Sequence, residues 1–248
     1  MHLKVLTIFI ISFFFPSIKA FSETTTCSCS EQSTSNNYCF KWSCRTEYKS
    51  NSACFSSKCT VQTHNGQHIP LSTVEIGDEV LTFNGKELVF EPIYDFIHAE
   101  KVGFYNFLRL TVFNTVRNST SHIDISAQHL IFVSGKSDPI FASEVQVGDH
   151  LQLVDNNQVI PSEVISIEPV VSQGFSAPLT RSGTIVVNGI IASNYAEARN
   201  HHLAHLAMQP YRLWRMLVGA KRSISNEVNW YAKALRFFAQ KTAILLTL

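Results

Sequence analysis

Several things are scarce in this sequence, and each scarcity excludes a class of function. Charged residues make up 16% and nearly balance, Lys+Arg 20 against Asp+Glu 19. There is therefore no cationic surplus to displace counterions, and nucleic acid is not the expected partner. Glycine and proline number only 10 and 8 in 248 residues, too few for a collagenous or low-complexity chain. Neither apolar run, Val5 to Phe15 or Ala243 to Leu248, reaches the ~20 residues that a helix needs to cross a bilayer. Cysteine is absent after Cys59, and the six that occur show no paired CxxC spacing, so the sequence calls for no metal and no cofactor. What remains fits one sizeable core with appendages.

The first twenty residues have the three-part form of a secretory signal: Lys4 supplies a positive charge, Val5 to Phe15 is apolar, and the stretch ends on the small residue Ala20. Residues 1–20 are expected to be removed, leaving a mature chain in an oxidising, secreted route where disulfides persist. The sequon Asn118-Ser119-Thr120 is a candidate glycosylation site on that route. Residues 21–53 are polar and too poor in large apolar side chains to build a core. Cys27, Cys29, Cys39 and Cys44 within them are disulfide candidates, with three pairings open.

From Thr60 onward short segments rich in Val, Ile and Phe are broken by turn pairs such as Asn65-Gly66, Asn84-Gly85, Asp155-Asn156 and Ser182-Gly183, the spacing of an all-β domain. Val80 to Phe83 with Glu87 to Phe90 reads as one hairpin, and Leu151 to Val154 with Val159-Ile160 as another. Val74-Glu75-Ile76-Gly77-Asp78-Glu79-Val80-Leu81 returns 71 positions later as Val145-Gln146-Val147-Gly148-Asp149-His150-Leu151-Gln152. Each Gly-Asp supplies a tight turn in which the aspartate is expected to bond the amides that follow it. Two copies of one β subunit imply a pseudo-two-fold fold.

Three residues then form a constellation. Cys54 stands where the cysteine-rich piece meets the β domain, and Ser126 and His129 lie three residues apart ahead of an apolar strand. A thiol at the first residue of a domain is placed to attack the carbonyl of Ala53, the residue before it, if a neighbour protonates the leaving nitrogen. Imidazole is poised for that task near neutral pH.

Residues 54–205 resemble the Hint domain of hedgehog-type proteins, the module shared with inteins, and are similar to the hedgehog-related proteins of nematodes in particular. The resemblance is carried by Cys54-Phe55, by Ile76-Gly77-Asp78-Glu79-Val80-Leu81 and by Ser126-Ala127-Gln128-His129-Leu130. It continues through Ala177-Pro178-Leu179-Thr180-Arg181-Ser182-Gly183-Thr184, Ile191-Ala192-Ser193-Asn194-Tyr195-Ala196 and Ala204-His205. It implies an all-β disc of two pseudo-two-fold subunits and an autoprocessing reaction. Cys54 would form a thioester with Ala53, promoted by His129, with Ser126 in place of the family threonine. A sterol or other lipid, or water, would then resolve the thioester and release residues 21–53 toward an unknown receptor in cell–cell signalling. His98 stands where hedgehog has its acceptor-activating aspartate, and Asn194 where it has a cysteine.

Residues 206–248 read differently. Tyr231, Leu235, Phe238, Thr242 and Leu245 follow helical spacing while Lys233, Arg236 and Gln240 point away, a basic amphipathic helix suited to a membrane surface. Trp230, Tyr231, Leu235 and Phe238 are the candidate lipid-recognition residues, because this stretch resembles the hedgehog C-terminal segment. The competing reading is a secreted β-rich interaction module without catalysis, in which Cys54 and Cys59 form a disulfide.

Overall fold

The β-branched and aromatic segments pair as the turn chemistry directs. The structure is a computed structural model; it describes residues 24–32, 39–47, 54–196, 198–218, 229–235 and 237, the first two stretches as backbone strands. The strands begin with β1 (Thr24–Gln32), β2 (Cys39–Glu47), β3 (Phe55–Ser56), β4 (Thr60–Gln62), β5 (His68–Pro70), β6 (Glu79–Phe83) and β7 (Leu88–Pro92). They continue with β8 (Asp95–Asn114), β9 (Ser119–Ile125), β10 (His129–Ile131) and β11 (Ile140–Phe141). The last four are β12 (His150–Asp155), β13 (Gln158–Leu179), β14 (Thr184–Val187) and β15 (Ile190–Ala196), followed by helices α1 (His201–Ala207) and α2 (Gln209–Val218).

β1 and β2 form their own two-stranded sheet, in whose register Cys27 is the partner of Cys44, Cys29 of Trp42 and Cys39 of Gln32. The expected signal segment 1–20 and the expected cleavage residue Ala53 lie outside the described residues. The main sheet runs β3-β9-β8-β13-β12-β15-β14-β4-β5, with β10 joining β11 and β15, and β6 and β7 form a separate hairpin.

Both expected hairpins form, with Phe83 opposite Leu88 and Asp155 opposite Gln158. Asn156 and Asn157 take φ of 48° and 58°, the left-handed pair that a two-residue hairpin turn needs and that asparagine tolerates. The repeat is real at the level of single hydrogen bonds. Gly77 N donates to Ile93 O at 2.8 Å, as Gly148 N does to Val164 O at 2.8 Å. Thr63 bridges Val80, as Val133 bridges Leu151. One detail is corrected: the turn aspartates bond backward, Asp78 Oδ2 accepting from Glu75 N at 2.8 Å and Asp149 Oδ2 from Gln146 N at 2.9 Å. The carboxylate thus closes the turn from its C-terminal end.

The main core lies between the two copies. Phe55, Val61, Val80, Ile93 and Leu110 from the first half meet Ile123, Ile131, Leu151, Val164, Ile185 and Ile190 from the second. Complete burial of such side chains is worth about 1.5–3 kcal/mol each, which is what fixes the register of these short strands. The pairing of Cys54 with Cys59 does not form: both are reduced thiols. Cys59 belongs to the main core, whereas Cys54 packs in a separate cluster with Phe107, Phe175 and Ala177.

In the tail, residues 230–235 and 237 are helical as the spacing predicts, while α1 and α2 occupy a stretch for which the sequence reading assigns no helix. Among the described residues no helix is long and apolar enough to cross a membrane.

Candidate active site

The turn that ends β9 positions Ser126 against the start of β3, because Phe55 and Ile125 are antiparallel partners there. Ser126 N donates to Cys54 O at 2.9 Å, and Cys54 N donates to Ser126 Oγ at 2.9 Å. The backbone of Cys54 is therefore gripped from both sides by one residue. Cys54 N is the nitrogen of the Ala53–Cys54 peptide bond. It is the atom that would leave in an attack of the thiol on the preceding carbonyl, and it is held by a hydroxyl that is 2% exposed, where competing water is excluded.

His129 follows in the same turn, its N donating to Ser126 O at 3.0 Å, and its side chain is wholly buried. Its ring lies against Phe55, the residue after the thiol, with centroids 4.3 Å apart. His129 Nε2 is 2.7 Å from Ser193 O. A carbonyl only accepts, so Nε2 carries the ring proton and donates it, which makes Nδ1 the basic nitrogen of the neutral imidazole.

Ser193 is itself braced. Its Oγ accepts from Tyr195 N at 2.9 Å and lies 2.9 Å from His201 Nδ1. Burial, and then the neighbouring His205 and His202, push the His201 pKa down to about 4, so the ring that meets Ser193 is neutral. His205 is held down to about 4 by burial, then by Arg212 and His202. Its Nδ1 takes Tyr195 OH at 2.8 Å and Arg212 at 3.1 Å. Gly183 faces it: φ is 78°, and an added Cβ would stand 2.5 Å from His205 Nδ1, so no other residue fits this turn. Ser193 and His201 are the members of this site that sequence reasoning missed. The available signal was Ser193 inside the Ala-Ser-Asn-Tyr-Ala motif and the run of histidines after it.

The thiol side chain, 2% exposed, sits with Phe107, Phe175 and Ala177, and Ile97, Tyr105 and Val170 pack against them. The half-buried His98 ring meets Phe175 edge-on at 4.6 Å. Across the strands Ala99 is the partner of Ser176, and Ser176 of Phe55. The structure thus joins Ser126 to both Cys54 and His129 by hydrogen bonds and sets His98 at the margin of the thiol's apolar cluster, against Phe175. Asn194 is buried, its amide 2.8 Å from Thr180 Oγ1.

Of the tail residues, Tyr231 stacks on Tyr211 at 5.2 Å, and Tyr231 and Leu235 pack against a cluster of Tyr94, Leu179, Tyr195, Met208 and Tyr211. Trp230 is 60% exposed, edge-on to Trp214. Phe238 lies outside the described residues. Asn118 is exposed at the turn between β8 and β9, where φ is 48°.

Residues 43–243 match the family model described as Hint module. The protein hedgehog of Drosophila virilis is 31% identical over 201 residues, covering 71% of this chain and 41% of the relative. The Indian hedgehog protein of Gallus gallus is 31% identical over 182 residues, covering 69% of this chain and 43% of the relative. The chain therefore aligns with less than half the length of these curated relatives. Among solved structures, the gp41-1 intein superposes with a TM-score of 0.45 at 17% identity, over 56% of this chain and 97% of the intein. A duplicated β framework with its thiol at the opening residue of the first copy, matched by that family model over most of its length, places this chain in the Hint module family in its hedgehog-type form.

Proposed function

We propose that this chain is a secreted precursor that cleaves itself between Ala53 and Cys54. Cys54 Sγ passes its proton to His129 Nδ1 and bonds to the Ala53 carbonyl carbon. The C–N bond then breaks as the same proton moves to the departing nitrogen, leaving a thioester at Ala53 and a free amine at Cys54. Nucleophile and carbonyl share one chain, so no encounter entropy opposes this step. In the second step the oxygen of an acceptor, a sterol or other lipid or else water, bonds to the Ala53 carbonyl. The C–S bond breaks and the thiol regains a proton, with His98 as the base that takes it from the acceptor.

The reading gives residues 1–20 to a secretory signal, 21–53 to the released segment, 54–205 to the self-cleaving module and 206–248 to acceptor recognition. Trp230, Tyr231, Leu235 and Phe238 of that last segment present the lipid and meet the membrane surface. Asn118 carries the glycan, and Cys27, Cys29, Cys39 and Cys44 hold the released segment in disulfides. Its destination is the extracellular space, reached through processing in the endoplasmic reticulum.

The observation that carries this reading is the reciprocal clamp of Ser126 on Cys54, with a buried, tautomer-fixed histidine in the same turn. The test is to express residues 21–248, add dithiothreitol, and follow intact mass over hours beside Cys54→Ala. The expected result is a new amino terminus at Cys54 in the parent and none in the variant. Folded parent that stays intact would overturn the proposal.

A further inference from the structure

The C-terminal segment meets the β framework at one carboxylate. Asp95 Oδ2 pairs with Arg215 Nε at 3.2 Å, and accepts from Tyr211 OH and from Asn229 Nδ2, the latter at 3.2 Å. Asn229 Nδ2 also donates to Tyr211 OH at 2.6 Å. The ion pair is largely out of water, its side chains 16% and 10% exposed. Arg215 additionally donates to Tyr94 O at 3.1 Å. Asn229 does double duty. Its Oδ1 accepts from Tyr231 N at 2.9 Å, which caps the helical residues 230–235, and its own N donates to Ile97 O at 2.7 Å.

Ile97 is the residue that makes this arrangement consequential. Its side chain packs against two otherwise separate clusters, the tail cluster of Tyr94, Leu179, Tyr195, Met208 and Tyr211 and the thiol cluster of Cys54, Phe107, Phe175 and Ala177. His98 is the next residue, so the strand that carries it is gripped by the tail at Asp95 and at Ile97. The hydrogen bonds that hold the first-step groups involve neither Asp95 nor Asn229: the clamp on Cys54 comes from Ser126, and the imidazole is held by Ser193.

We propose that Asp95 is a positioning residue for the second step, its carboxylate latching α2 and the helical residues after Asn229 onto the strand of His98 so that the acceptor is presented beside the thioester. This rests on the self-cleavage reading above. The latch separates the two half-reactions: attack of the thiol proceeds without it, and transfer to a lipid needs it.

The experiment uses residues 21–248 as parent, Asp95→Ala, Asn229→Ala and the double variant, each driven once by dithiothreitol and once by mixed micelles of a total lipid extract and cholesterol. The expected result is thiol-driven release within about threefold of parent in all four and lipid-driven release lowered about tenfold or more in the variants, mainly as a raised KM for lipid. The double variant is expected to be no worse than the worse single one, because both residues act through one clasp. Should Asp95→Ala fail to fold, Asn229→Ala reads the same split. Equal losses in both assays, additive losses in the double variant, or no lipid stimulation of a parent that responds to thiol would each overturn the latch and leave self-cleavage standing. A parent inert to thiol would overturn self-cleavage itself.

Discussion

In the first copy of the β unit Cys59 N donates to Ser56 O at 3.0 Å, and in the second His129 N donates to Ser126 O at 3.0 Å. Ser72 N then reaches Ser57 O at 3.0 Å, as Ser143 N reaches Ala127 O at 2.9 Å. One backbone turn is thus built twice, with Ser56 standing where Ser126 stands and Cys59 where His129 stands. The side chains diverge in what they face. Ser56 Oγ is tied to Ser172 Oγ at 2.7 Å, a bond internal to the framework, whereas Ser126 Oγ takes the amide of Cys54. Burial pushes the Cys59 thiol up to about 12, so it stays protonated and inert in the core. The difference teaches that this turn is not in itself catalytic. On the self-cleavage reading it becomes so only in the copy that lies against the residue at the head of β3.

The sharpest way to test that contrast is to remove the matching residue from each copy. His129→Ala is expected to slow thiol-driven release by about 10²–10⁴-fold, the range for losing a positioned proton carrier. Cys59→Ala is expected to leave the rate unchanged and to lower stability by about 1–2 kcal/mol through lost packing. Release assays paired with chemical denaturation read both; a rate loss in Cys59→Ala of the same order would erase the contrast.

How much of this was legible beforehand follows from where the signals lie. The two Gly-Asp turns and both hairpins were readable because they are local: a few residues decide each. Cys54, Ser126, His129 and His98 were singled out through motif and resemblance; in the structure Ser126 is hydrogen-bonded to Cys54 and to the backbone of His129, while His98 lies against Phe175 of the thiol cluster. The length of β8 and β13 was not readable, since Pro161, Pro169, Gly174 and Pro178 punctuate a strand that runs unbroken from Gln158 to Leu179. Pairing with β8 survives there by register irregularities, among them those between Gln173 and Phe175 and between Ser176 and Pro178. Ser193 and His201 were missed because their role depends on β10 pairing with β15, a contact between segments 64 residues apart in the Ser193–His129 bond.

The copies also differ in what covers them. The second is flanked by α1, whose His201 and His205 have pKa values lowered from 6.5 to about 4, chiefly by burial. In the unfolded chain these rings take up protons near pH 6.5, while in the folded chain they do so only near pH 4. Between those limits the unfolded state binds more protons, so stability falls as pH falls. Each unit costs at most about 1.4 kcal/mol per group, and less for the partly exposed His205. A loss of about 2 kcal/mol is expected from pH 6.5 to pH 5, followed by thermal melting, with His201→Asn flattening the slope. A melting temperature constant over that range would show that these rings are not held neutral.

A subtler comparison sets Ser126→Ala against Ser56→Ala. The first removes the acceptor of the scissile amide and is expected to slow the first step about tenfold while leaving the fold intact, which equates to about 1.4 kcal/mol in the transition state. The second breaks the Ser56–Ser172 tie and is expected to cost about 1 kcal/mol of stability with no change in rate. Single-turnover release with thiol in excess distinguishes them; rate losses of equal size in both would mean that the two hydroxyls share a structural role.

The smallest effect expected is the one that tests the repeat most directly. Gly77 and Gly148 occupy the third position of matching turns, closed by Asp78 N to Glu75 O at 3.2 Å and Asp149 N to Gln146 O at 3.0 Å. Their φ values are 98° and 93°, and an added Cβ would meet no atom within 4 Å at either site. With space to spare, the whole cost of alanine is backbone strain, which depends on φ and not on the neighbourhood. Gly77→Ala and Gly148→Ala are therefore expected to lose about 1–2 kcal/mol each, equal within about 0.5 kcal/mol and additive in the double variant. Denaturant unfolding measures all three. Costs that differ by more than that margin would mean that the two turns, alike in every backbone bond, are not the same structural unit in energy.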